Sequence, residues 1–171
     1  MLFRLFLAIT LSTFFGFSHS YSPPGPCGPV QRLTTQLVDF YMPTGWRFEE
    51  TDSYHTVFPN IPANGFKCNI IISSRSLAGL QISNEQMASF IISEYSEING
   101  FRMLNKSVYS KDGAGIIDIS FKVDDDFNGY YRAYYFLKNG ELLLLNFTGT
   151  QTQYEVLEVC IDDLMASARI S

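Results

Sequence analysis

Apolar and polar positions alternate along most of this chain, and the period of the alternation changes several times. The first stretch does not alternate at all. Arg4 is followed by an apolar run from Leu5 to Phe17, which ends in Ser18-His19-Ser20. A bilayer-spanning helix needs about 20 apolar residues, and this run is shorter. A short positive start, an apolar stretch and small residues before a cut describe a secretory leader. Cleavage is expected after Ser20, so residues 1–20 are read as a signal peptide. Residues 21–34 open with Pro and Gly and are read as an N-terminal arm, with a short turn of helix within Val30 to Leu37. A single domain is assigned to 35–171.

Within that domain, Val38 to Met42 reads as a strand stopped by Pro43 and turned by Gly45. Phe66, Cys68, Ile70 and Ile72 share one face of a second strand. Ser83 with Gln86 has the spacing of a capping box. Met87, Phe90, Ile91, Tyr95 and Ile98 then recur at helical spacing, and Gly100 ends the helix. The second half switches to a period of two. Met103 to Tyr109 and Ile117 to Val123 are strands, the latter apolar on one face only. Tyr130 to Leu137 and Leu142 to Phe147 are apolar on both faces, joined at Asn139-Gly140, a strong hairpin signal. Thr150 or Thr152 caps a last helix with an apolar stripe of Tyr154, Leu157, Ile161, Leu164 and Ala168. Strands apolar on both faces need cover on both. The expected fold class is therefore α+β, an antiparallel β-sheet sandwiched by helices.

Two segments resemble a known family. Phe40-Tyr41-Met42-Pro43-Thr44-Gly45-Trp46 is similar to the opening strand of the PsbP-like fold. Tyr130 to Ile170, a Tyr-rich strand, an Asn-Gly hairpin, an apolar strand ending Asn146-Phe147-Thr148-Gly149 and a helix, is similar to its end. That fold is shared by extrinsic photosystem II subunits and the bacterial DcrB-like proteins. The resemblance implies a PsbP-like α/β/α sandwich and a non-catalytic accessory or binding role outside the cytoplasm. It implies no substrate, since fold does not set function.

Charge narrows the partners. The formal net charge is −5, one unit more negative without Arg4, and no basic run is present. Nucleic acid is an unsuitable partner, because phosphate neutralisation supplies most of its affinity. After signal cleavage no stretch remains that could span a membrane stably. The expected location is periplasmic or secreted, and the expected partner is another protein. The alternative role is a carrier of a small apolar or aromatic ligand, with Tyr130, Tyr131, Tyr134 and Tyr135 as its lining. Core packing is the plainer use of those tyrosines.

The chemistry available is sparse. His19 leaves with the leader, so His55 is the one histidine of the mature chain. No nucleophile-elbow motif accompanies it, and it is read as a surface or loop residue. No enzyme is expected and no cofactor is implied. Asp124, Asp126 and Asn128 match the opening of an EF-hand calcium loop, but Tyr135 stands where a bidentate Glu belongs. A solvated acidic turn is the plainer reading. Cys27, Cys68 and Cys160 show no zinc spacing. An oxidising compartment allows one disulfide among them, with the pairing open, and Cys68 and Cys160 both fit as buried cysteines. Asn105-Lys106-Ser107 and Asn146-Phe147-Thr148 are formal glycosylation sequons in strand segments.

Overall fold

The computed structural model describes residues 27–61, 67–77, 80, 82–124 and 128–170. Residues 1–20, read as a signal peptide, and the first part of the arm lie outside them. The main element is a seven-stranded antiparallel sheet. Its strands are β3 (Arg47–Glu50), β4 (His55–Phe58), β5 (Asn69–Ser76), β6 (Phe101–Lys111), β7 (Ala114–Val123), β8 (Gly129–Lys138) and β9 (Glu141–Thr150). They lie in the order β3-β4-β5-β9-β8-β7-β6. A second sheet has three strands in the order β1-β2-β10, from β1 (Val30–Thr34), β2 (Val38–Pro43) and β10 (Arg169–Ile170). The helices are α1 (Asn84–Ser96) and α2 (Gln151–Ser167).

The turns set the register of the meander from β6 to β9. Asp112-Gly113 and Asn139-Gly140 all have positive φ. Asn, Asp and Gly adopt that backbone most readily, and it gives a two-residue turn the twist that hairpins require. Tyr130 therefore faces Gly149 and Leu137 faces Leu142 across the β8–β9 pair. Both helices start at a capping box, the first at the residues the chain pattern predicts. Ser83 accepts from the Gln86 backbone N–H while the Gln86 side chain accepts from Ser83 N–H. Thr150, not Thr152, makes the same reciprocal pair with Gln153.

Alternation sends the strand side chains to two different cores. On one face, Ile70, Ile72, Tyr134, Leu143, Leu145 and Phe147 pack with Tyr154, Leu157, Ile161 and Leu164 of α2. Val38, Phe40 and Met42 of β2 belong to the same cluster. On the opposite face, Ile117, Ile119, Ala133 and Tyr135 pack with Met87, Ala88 and Ile91 of α1. The cover predicted to be helical is thus only partly so. The small sheet shares one face with α2, and α1 lies chiefly over β6 and β7. Gly115 of β7 explains part of that offset. A Cβ there would stand 2.0 Å from Asn84 Oδ1, so the bare glycine lets the first residue of α1 sit against the edge side of the sheet.

Three local readings are corrected. Val30–Thr34, expected to hold a helical turn, is a strand antiparallel to β2. Its apolar Val30 stands opposite Pro43 and its Leu33 opposite Phe40, pairings that local pattern does not reveal. His55 is neither a surface nor a loop residue. It sits in β4 with 2% exposure. Its Nε2 lies 3.0 Å from Thr35 Oγ1, and its ring lies 5.5 Å from that of Phe48. It ties the β1–β2 turn to the large sheet. Phe90 and Ile98, expected in the buried stripe of α1, are 59% and 42% exposed.

Candidate functional site

Because α1 is offset, the rows of side chains on β9 and β5 beside it lack a helical roof. Leu144 stands opposite Ser73 and Leu142 opposite Arg75 in the β5–β9 register. Both leucines are only half-buried. The result is a groove of about 580 Å³ between α1 and these strands. Leu142, Leu144 and Tyr135 are among the residues on its sheet side. Met87, Phe90, Ile91 and Tyr95 form its helix wall, and Leu77, Leu80 and Ile82, which precede α1, also line it. Phe90 and Leu80 stand out from the rim, the latter 64% exposed.

Polar groups in the groove are few. The Tyr95 and Tyr135 hydroxyls are 3.0 Å apart. Burial pushes the phenol of Tyr135 up, and the neighbouring Tyr95 pushes it further. Burial raises Tyr95 as well. Both rings therefore stay neutral and act as apolar surface with a satisfied hydroxyl pair. Arg75 and Glu94 are the charged residues of the lining, and Ser73, Ser74 and Ser76 add hydroxyls. No histidine or cysteine lines this groove, so none of these serines has a neighbouring base of that kind. The chemistry on offer is apolar contact with a polar margin.

The residues singled out in the sequence lie elsewhere. Tyr130 and Tyr134 pack under α2, whereas Tyr135 faces α1. Tyr131 stacks on Phe121 at 4.9 Å. Tyr130, Tyr134 and Tyr135 are buried in cores, Tyr131 is half-buried, and of the four Tyr135 lines the groove. Arg132 of β8 is a clamp. It donates from Nε and Nη2 to the two oxygens of Asp118 at 3.0 and 2.8 Å, and from Nη1 to the Tyr154 hydroxyl at 2.7 Å. It also pairs with Asp162 of α2. Burial pulls its guanidinium down, but the hydrogen bonds and charge of Asp118 outweigh that and hold it firmly protonated.

Cys27 and Cys160 form a disulfide, which ties the end of the arm to α2. Cys68 is a free, buried thiol, pushed up by burial. Asp124 is exposed at the end of β7, where its N–H donates to Gly100 O at 3.1 Å. Asn128 begins the return to β8 with φ of 46°. Asp126 lies outside the described residues. Among the described residues no three His, Cys, Asp or Glu side chains are grouped to hold a metal. Asn105 is exposed at a bulge in β6, whereas the Oδ1 of Asn146 is buried mid-sheet. Among the described residues no helix is long and apolar enough to cross a membrane.

The architecture has counterparts among solved structures. Cyanobacterial PsbP (CyanoP) from Synechocystis sp. PCC 6803 matches with a TM-score of 0.63 at 12% identity, over 83% of this chain and 92% of its own. The fold is PsbP-like. LpqN of Mycobacterium tuberculosis, which is involved in cell envelope biogenesis, matches this PsbP-like chain with a TM-score of 0.59 at 16% identity, over 83% and 91% of the two chains. The Ran-binding protein Mog1p of Saccharomyces cerevisiae gives 0.58 at 7%, over 82% and 95%. Identities this low carry the fold and nothing finer. No family model and no curated protein matches the sequence.

Proposed function

We propose that this PsbP-like domain is an exported, non-catalytic binding module that holds a partner protein in the groove beside α1. One observation carries the reading. Phe90 and Leu80 are left in solvent at the lip of a large apolar hollow. Ordering bulky apolar groups around a solvent-filled groove is unfavourable unless something covers it. The hollow lies along the side of α1 between helix and strand, which suits a segment of polypeptide with two or three apolar anchors. A small-molecule site would enclose most of its ligand. Export is supported by the apolar leader of the sequence and by the Cys27–Cys160 disulfide, a bond that persists in oxidising compartments.

Photo-crosslinking tests the proposal. A benzophenone amino acid at position 90 should join the domain to a protein in the exported fraction, and Leu144→Lys should abolish the adduct. Absence of any protein adduct, together with a small apolar molecule retained in native mass spectrometry, would sink this reading and favour the carrier.

A further inference from the structure

A second surface lies on the far side of α1 from the groove. β6 ends the seven-stranded order, and no described strand pairs its outer side. It is 11 residues long, whereas β3 at the other end of the sheet has four. A long free edge is a template for another strand, and proteins restrict what may pair there with bulges and charge. β6 has both. Its register shifts between Met103 and Asn105, which leaves Asn105 to Lys111 as the regular stretch. The strand carries Arg102, Lys106 and Lys111 and no carboxylate, although the chain as a whole is acidic.

The surroundings reinforce the sign. Arg102 stands opposite Lys122 across the β6–β7 pair. Lys106 lies 3.4 Å from the exposed Glu85 of α1, a weak offset. Asp118, the acidic residue of β7 opposite Ser107, is committed to Arg132. Two copies paired antiparallel at this edge would bring only cations together. Leu104 and Tyr109, each 44% exposed, add apolar surface to the same strand.

We infer that the outer edge of β6 pairs with an acidic, extended segment of a partner protein, which adds a strand to the sheet. Main-chain hydrogen bonds supply the attachment and the cations select the sequence. This surface is independent of the groove, so either can fail without the other.

The test uses the whole chain and a labelled ten-residue peptide that alternates Glu and Val. Binding should slow amide exchange along residues 102–111 and weaken with added salt. Lys106→Glu with Lys111→Glu should weaken it at least tenfold, with an unchanged melting temperature as the check on folding. Phe90→Asp should leave it intact. The Lys/Val counterpart should not bind, and neither should the Glu/Val peptide N-methylated at alternate residues. Absence of binding at millimolar peptide overturns the inference. So does slowed exchange elsewhere on the chain, binding that survives N-methylation, or self-association through β6 in sedimentation.

Discussion

The two faces of the large sheet are built from the same strands but finished differently. The face under α2 is closed. α2 contacts β8, β9 and β2, and the three-stranded sheet extends the cover over Ile70 and Ile72. The Cys27–Cys160 disulfide and the Arg132 clamp hold α2 in place. The face under α1 is half closed. One helix seated over β6 and β7 leaves Leu142 and Leu144 beside an open groove. The difference teaches a division of labour. Stability is concentrated where cover is complete, and recognition is available where it is not. A substitution on the closed face should lower stability, while one on the groove's rim should change binding alone.

The sharpest break in that contrast should come from Phe147, which is fully buried under α2. Phe147→Ala should cost about 3–5 kcal/mol in urea unfolding, the range for a large aromatic removed from a core. Leu144→Ala, on the half-buried groove floor, should cost clearly less. Equal losses would mean the two faces are equally packed. Next comes the disulfide, which spans 133 residues of chain. Its removal by Cys27→Ser with Cys160→Ser should cost about 2–4 kcal/mol, measured against the oxidised protein. Arg132→Met leaves Asp118 and Tyr154 short of a partner, and should cost about 2–3 kcal/mol.

Alkali should unfasten both faces together. Tyr134, Tyr135 and Tyr154 are all raised, first by burial. Their contribution is fully present below the ordinary phenol value near 10 and is lost as the pH climbs from there toward the folded-state values. The unfolded chain releases its phenolic protons first, so stability should fall by about 1.4 kcal/mol per pH unit for each such tyrosine. Unfolding midpoints between pH 9 and 11 check this, and a flat profile would contradict the burial of these rings. The smallest effect belongs to Phe90→Asp. It should shift stability by no more than about 0.5 kcal/mol, as exposed substitutions do, yet remove partner binding at the groove.

Much of this was legible in the chain. The helix start at Ser83, the Asn139-Gly140 turn and the two-faced strands around it are local signals, and an antiparallel sheet with two helices follows from them. The groove was not legible. Phe90 has the spacing of a core residue, and period alone cannot say how far across a sheet a helix reaches. His55 shares a face with Val57 in a strand of only four residues, too short an alternation to mark it as buried, and its partner Thr35 is 20 residues away. The pairing of Cys27 with Cys160 depends on where α2 lies, since three cysteines allow more than one bridge.

By itself, then, the sequence determined the elements and their turns, because backbone preference, capping and alternation act over a few residues. It also determined that β8 and β9 would carry apolar side chains on both faces, although β9 is fully buried on only one of them. Tertiary structure alone decided how each face was covered. The seat of α1 on Gly115, the alliance of α2 with a second sheet and the unpaired edge of β6 depend on contacts between residues far apart in the chain. Those contacts are matters of shape and distance in three dimensions, which a one-dimensional pattern does not contain.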